Sequence, residues 1–182
     1  KSINEVIYSG GDPLAANDIF LAWLTTEIAE IGHIKRLRIH TRLPVVIPAR
    51  IDQGFLNWAT ATRLKPIVVL HINHANEIDA EVASAIKKLT DAGMQVLNQS
   101  VLLRGVNDSA LTLAELSERL FDCGVSPYYL HLCDPVAGAQ HFDLDDSVAK
   151  IIYGELQCLL PGFLVPKLVR EIPNRQSKTL II

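Results

Sequence analysis

In the stretch Ser9-Gly-Gly-Asp-Pro-Leu14, two adjacent glycines and a carboxylate directly follow a short apolar run, Val6-Ile-Tyr8. Adjacent glycines permit positive φ and let a ligand come close to the main chain. The turn leaves carbonyls and an acid for a ligand, although Gly/Pro clusters also mark ordinary turns. Polar residues recur at similar places: His40-Thr-Arg42, His71-Ile-Asn-His74, Asn98 with Gln99, and His131-Leu-Cys-Asp134. Asn98 and Gln99 interrupt a strand that is apolar on both sides, and buried amides need hydrogen-bond partners. A ligand facing Gln99 meets that need, and so does a satisfied core network. Cys123, Cys133 and Cys158 have no CxxC spacing and form no metal site recognisable from sequence.

These residues need elements to hold them. Val6 to Tyr8 reads as a strand leading through the turn into a helix from Asp18 to Ile31. That helix carries Ile19, Phe20, Trp23, Leu24, Ile28 and Ile31 at helical spacing, with Gly32 to end it. Lys35 to His40 alternates basic and apolar residues as a strand does, and 41–50 reads as an extended loop bracketed by Pro44 and Pro48. Asp52 caps a helix holding Phe55, Leu56, Trp58 and Ala59. Ile67-Val-Val-Leu70 is the continuous apolar run expected of a parallel strand buried on both faces. Asp79 caps a helix through Ala83, Ile86 and Leu89. A strand from Gln95 to Leu103, a helix from Ser109 to Asp122 and a strand from Ser126 to His131 follow. A last helix starts at Asp145 or Asp146, then 163–169 reads as extended and 171–178 as an irregular loop.

Strand and helix alternate about five times at a period of roughly 30 residues, which implies a parallel sheet closed or partly closed into a barrel. A full eight-unit barrel takes about 250 residues, so a chain of 182 residues fits a partial α/β barrel better. In such barrels the C-terminal ends of the strands build the active site, and the polar clusters fall there. No GxGxxG or P-loop points to a nucleotide-binding doubly wound sheet. Hydrophobic residues make up 49% of the chain and charged residues 20%, enough for a sizeable core. The net charge of −3 leaves no basic footprint for nucleic acid. No apolar run approaches the roughly 18 residues of a membrane span. Sparse cysteines and no signal peptide suit a cytoplasmic protein with reduced thiols. The chain opens at Lys1, without methionine and almost directly on a strand, which reads as a piece of a longer protein.

The polar clusters belong to longer motifs. Ser9-Gly-Gly-Asp-Pro-Leu14, Leu37-Arg-Ile-His-Thr-Arg-Leu-Pro44, His71-Ile-Asn-His-Ala-Asn-Glu77, Leu97-Asn-Gln-Ser-Val-Leu-Leu-Arg-Gly-Val-Asn-Asp108 and Pro127-Tyr-Tyr-Leu-His-Leu-Cys-Asp134 occur together in this order. Over essentially its whole length the chain resembles the lysine 2,3-aminomutase family of radical S-adenosylmethionine (SAM) enzymes. His131 in place of a tyrosine, Gly138-Ala139 before His141-Phe142, and Leu164-Val-Pro-Lys167 ahead of Arg170-Glu171 resemble the branch whose (R)-β-lysine serves elongation factor P modification.

The resemblance implies a partial radical SAM barrel over 1–162 and a C-terminal extension over 163–182. It implies an isomerase that converts L-lysine to (R)-β-lysine with SAM, pyridoxal phosphate (PLP) and a [4Fe-4S] cluster, served by a reductant such as flavodoxin or ferredoxin. Ser9, Gly10, Gly11 and Asp12 resemble the turn that holds the amino group of SAM. Gln99 and His71, with Asn98 and Thr41, resemble residues that contact the rest of it. Lys178 resembles the lysine that forms a Schiff base with PLP, chemistry that a primary amine alone provides. Asp134 and Glu171 resemble the two carboxylates that grip the substrate's ε-ammonium, a charge-assisted arrangement.

Three features depart from the family pattern. The CxxxCxxC loop that binds the cluster through thiolates has no counterpart here, and neither does the arginine beside it. Pro173-Asn-Arg-Gln-Ser177 replaces a glycine-rich stretch before the lysine. The expectation is therefore the C-terminal part of the enzyme, inactive by itself, with exposed strand edges that favour a homo-oligomer. Two alternatives stand beside it: a non-catalytic barrel remnant that binds a small molecule or partner, and a conventional PLP or phosphate-binding barrel enzyme. The second leaves the Ser-Gly-Gly-Asp-Pro turn unexplained.

Overall fold

A computed structural model describes residues 3–134, 138–173, 175 and 177–181. Among them the strands are β1 (Glu5–Tyr8), β2 (Arg36–Thr41), β3 (Lys65–His71), β4 (Gln95–Val101), β5 (Ser126–His131), β6 (Lys167–Arg170) and β7 (Thr179–Leu180). The helices are α1 (Asp18–Ala29), α2 (Leu43–Val46), α3 (Gln53–Thr60), α4 (Ala80–Asp91), α5 (Ala110–Asp122) and α6 (Asp146–Leu159). Hydrogen bonding follows chain order within each of two units, as β1-β2-β3 and as β5-β6-β7. Two compact units divide the chain: residues 1–71 with 78–97, and residues 72–77 with 98–182.

In the first unit β1, β2 and β3 are parallel, with Tyr8 beside Ile39 and His40 beside Val69. Alternation along β2 buries Leu37, Ile39 and Thr41 and leaves Arg36, Arg38 and His40 half-buried on the other face. Tyr8 shares the face of Ile39, and its hydroxyl meets Thr25 of α1 at 3.0 Å. Ile67 to Leu70 of β3 are all buried, as the unbroken apolar run required. Side chains cap the helices at their starts: Asn17 accepts from Phe20 N, Asp52 from Phe55 N and Asp79 from Val82 N. Each satisfies one of the donors that a helix N-terminus leaves without a partner.

The helical spacing of α1 selects the wrong face. Ile19 and Trp23 are 85% and 56% exposed, while Leu21 and Thr25 are buried. Apolar residues lie all around this helix, so periodicity alone gives it no unique inner stripe. It also ends at Ala29 rather than Ile31, because the Arg63 guanidinium donates to the carbonyls of Ala29, Ile31 and Ile34 and serves as a C-cap. The stretch 41–50 is not extended. It holds α2 and a 3-10 turn at Pro48–Arg50, with Pro44 in the first turn of α2, where its missing N–H costs nothing.

In the second unit β5 and β6 are parallel, and β6 and β7 are antiparallel. Its core joins Leu102 and Leu113 to Leu130, Leu132, Ile152, Leu156, Leu160 and Leu168. The stretch 163–169 begins as a 3-10 turn, Gly162–Leu164, and becomes β6 only at Lys167. The two-residue β7 was not foreseen, being too short to show a pattern.

Candidate functional site

The glycine turn keeps its expected geometry. Gly10 and Gly11 have φ of 84° and 55°, and a Cβ built on either meets nothing within 4 Å. The glycines are therefore required by backbone conformation, and they leave open space above an exposed main chain. Asp12 is placed differently. Its Oδ1 accepts from Leu14 N at 3.0 Å and from the Thr41 hydroxyl at 2.7 Å, and its Oδ2 accepts from Arg42 N at 2.7 Å and Leu43 N at 3.1 Å. The carboxylate thus caps α2 from a distance and ties the loop after β1 to the end of β2. Thr41 is 1% exposed and spends its hydroxyl on this link, also accepting from Leu43 N. At this turn Asp12 and Thr41 brace the loop, and the main chain of Ser9, Gly10 and Gly11 faces outward.

A second brace lies behind the turn. Arg50 Nε donates to the Leu14 carbonyl at 2.8 Å, and Asp18 Oδ1 accepts from Arg50 Nη2 at 2.6 Å and from the Trp58 indole at 2.7 Å. No local sequence signal links residues so far apart. On the face of β2 opposite the helix contact, the His40 and His71 rings meet edge-on at 6.0 Å. Burial pushes His71 below the ordinary imidazole range; Asp12 opposes that shift and Arg42 adds to it.

In the second unit Asn98 is 1% exposed. Its Oδ1 accepts from Ile72 N at 2.9 Å, and its Nδ2 donates to Ile72 O and Ser100 Oγ, both at 3.0 Å. Of the two readings left open for the amides, Asn98 takes the satisfied core network. Gln99 alternates to the other face of β4 and is half-buried. A companion network, missed in the sequence, uses Asn73 to accept from Val101 N and Asn107 to accept from Leu103 N, with Asn107 Nδ2 donating to Asn73 O.

Asp134 and Glu171 line one cavity of about 550 Å³, together with Cys133, Asp143, Arg170, Ile172 and Pro173. Lys178 reaches one of them: its Nζ donates to Glu171 Oε2 at 3.0 Å and lies 5.8 Å from the centre of the Tyr129 ring. The Lys178 hydrogen bond holds the Glu171 carboxyl below the usual carboxylate range. Arg170 is gripped by both oxygens of Asp146 at 2.6 and 2.8 Å. Burial, with Asp143 and Asp134 nearby, pushes the Cys133 thiol up, away from thiolate character. Asp143 carried no sequence signal for this place.

The residues fit two of the three implied groups. The Lys178 primary amine suits Schiff-base formation with PLP, the acid-lined cavity suits an ammonium, and an exposed glycine turn suits the amino group of SAM. For the [4Fe-4S] cluster, among the described residues no group of three or more His, Cys, Asp or Glu is placed to hold a metal ion. No described helix is long and apolar enough to cross a membrane.

No family model matches the chain. It is 56% identical over 180 residues to the L-lysine 2,3-aminomutase of Haemophilus influenzae, covering 99% of this chain and 53% of that protein. It is 55% identical over 177 residues to the enzyme of the same name from Escherichia coli (97% and 52% covered) and 37% identical over 181 residues to that of Clostridium subterminale (99% and 43%). The chain thus spans about half the length of the curated relatives it matches. Among solved structures it is similar to a radical SAM methyltransferase from Sphaerobacter thermophilus, with a TM-score of 0.63 at 17% identity over 93% of this chain and 52% of that one. It is also similar to anSMEcpe with bound AdoMet and a peptide, with a TM-score of 0.60 at 14% identity over 84% and 45%. At such low identity these two likenesses establish the fold, a partial parallel barrel of the radical SAM type.

Proposed function

The chain belongs to the lysine 2,3-aminomutase family, and we propose that the protein carrying it converts L-lysine to (R)-β-lysine. The observation that carries this reading is the meeting of Asp134 and Glu171 at one cavity, with Lys178 hydrogen-bonded to Glu171. In this reading the two carboxylates hold the substrate's ε-ammonium and so fix the distance from that end to the reacting carbons. Lys178, on the extension 163–182, holds PLP. The main chain of Ser9, Gly10 and Gly11 receives the amino group of SAM, while Asp12 and Thr41 keep that turn in shape. His71, largely neutral near pH 7 because burial disfavours its charged form, and Gln99 contact the remainder of SAM. Asn98 pins the residue after β3 to β4 and acts by position. When bound, SAM supplies the radical and PLP the π-system that make the amino shift possible.

The ligands of the cluster belong, in this reading, to the part of the relatives' length outside the match. A flavodoxin or ferredoxin serves as reductant, the protein is cytoplasmic and self-associating, and the product goes to elongation factor P modification. His131, Gly138-Ala139 and Leu164-to-Lys167 support that last assignment. The test uses the complete protein with its cluster loaded, given reductant, SAM, PLP and L-lysine, with products separated by chiral chromatography. (R)-β-lysine is expected, and KM for lysine rises at least about tenfold in Asp134→Ala and Glu171→Ala, since one charge-assisted hydrogen bond contributes about 1.5–3 kcal/mol. SAM cleavage with lysine recovered unchanged would overturn the proposal.

A further inference from the structure

The seven-residue spacing of Glu171 and Lys178 follows from strand register. β6 and β7 pair Val169 with Leu180 and Arg170 with Thr179. The next position along that ladder sets Glu171 opposite Lys178, so the 3.0 Å ion pair is a cross-strand pair at the mouth of a hairpin. Both side chains stay accessible, with 66% of Glu171 and 28% of Lys178 exposed. The ring of Tyr129 lies under the ammonium, and its edge-on contact with His131 at 5.6 Å steadies that ring.

A carboxylate assigned to a substrate ammonium is therefore already bonded to an ammonium, that of the residue assigned to the cofactor. We propose that Glu171 serves two cations in turn: Lys178 before the cofactor is attached, and the substrate's ε-ammonium afterwards. Attachment of PLP thereby opens the substrate subsite. This inference rests on the roles given to Lys178 and Glu171 in the preceding reading. The covalent step balances without a further reactant. The Lys178 ammonium releases one proton to solvent, its lone pair adds to the aldehyde carbon, and one water leaves as the carbon–nitrogen double bond forms. The nitrogen then no longer presents three N–H donors, and the Glu171 oxygen that Lys178 had occupied is free for another ammonium.

Linkage makes the effect reciprocal. The Lys178 nitrogen must leave its hydrogen bond to Glu171 before it can attack, so removing the charge of Glu171 speeds cofactor capture.

The experiment follows imine formation by its visible absorption after PLP is mixed with the complete protein, across pH, in the parent and in Glu171→Gln. Asparagine's longer homologue keeps the side chain's size and removes its charge. Capture is expected to be about two- to fivefold faster at neutral pH, the range that a partly exposed ion pair sustains. Glu171→Asp falls between the two. Borohydride reduction and peptide mapping separate the possible failures. If the label lies on another lysine, or Lys178→Arg captures PLP as well as the parent does, the reading of Lys178 has failed and this inference with it. If Lys178 is labelled but Glu171→Gln leaves the rate of capture unchanged, only the inference is overturned.

Discussion

Replacing Asp12 by asparagine keeps the side chain's size and tests whether the aspartate serves the fold or only a ligand. The carboxylate accepts on both oxygens, whereas asparagine presents one oxygen and one NH₂. If the new oxygen faces Arg42 N and Leu43 N, the NH₂ is set against the Leu14 N–H and the Thr41 hydroxyl. That hydroxyl already accepts from Leu43 N at 3.0 Å. If the amide flips, the NH₂ opposes the N–H groups of both Arg42 and Leu43. Neither orientation satisfies every donor. The better one loses the Leu14 hydrogen bond and removes the charge from those to Arg42 and Leu43. With charged hydrogen bonds at about 1.5–3 kcal/mol and neutral ones near 1, and with water reaching a half-exposed site, the net loss is about 2 kcal/mol.

Urea unfolding followed by tryptophan fluorescence reads that loss, because buried Trp58 lies in the same unit and is bonded to Asp18. The midpoint is expected to fall with the slope unchanged, the signature of altered stability alone. A ligand-only role predicts a different result: an asparagine variant within about 0.5 kcal/mol of the parent, the range of neutral surface changes, with weakened SAM binding as its sole defect. That result would refute the bracing role of Asp12.

Asn98→Ala leaves the buried N–H and carbonyl of Ile72 without their side-chain partner, and calorimetry should register a loss of about 3 kcal/mol. Gly54→Ala places a Cβ 2.9 Å from Asp18 Oδ2 and 3.2 Å from Asp52 Oδ1. Asp18 is held by Arg50 and Trp58 and cannot swing aside freely, so thermal unfolding should show a loss of about 1–3 kcal/mol from overpacking, less any gain of about 1 from helix propensity. His71 titrates below the ordinary imidazole range because of burial. As pH falls through about 6.5, the unfolded chain takes up the proton first, so stability declines from there until the lower folded pKa is passed. His71→Asn should flatten that part of the stability–pH curve, and NMR titration of the His71 ring checks the direction.

Where one strand face is buried and the other is not, the sequence carries the answer in its own period, and β2 was legible from Arg36 to Thr41. The unbroken Ile67-to-Leu70 run was equally plain, since both faces of β3 are buried. Features made by distant partners were not legible. α2 depends on an aspartate 30 residues upstream that caps its first turn, and the end of α1 depends on Arg63. α1 itself misled because apolar residues on every side hide which stripe is inner. The resemblance singled out Glu171 and Lys178 seven residues apart, but the contact between them lies across strand register. Register joins residues that no window along the chain joins.

The carboxylates divide by a simple physical criterion. A carboxylate offers about four acceptor sites, and the fold fills them unevenly. Asp12 accepts from Leu14 N, the Thr41 hydroxyl, Arg42 N and Leu43 N, so its capacity is spent on backbone and hydroxyl donors that cannot leave while the fold persists. Asp18 is likewise committed to Arg50 and Trp58. Glu171 differs in the kind of donor it has. Among the described residues its partner is Lys178, a flexible ammonium at an accessible hairpin mouth, and that donor is exchangeable for another ammonium of the same charge and geometry. An acid held by fixed donors shapes a site, whereas an acid held by an exchangeable cation can serve one. By this measure the aspartate of the Ser-Gly-Gly-Asp motif serves architecture, and Glu171 is the carboxylate whose removal should separate binding from folding.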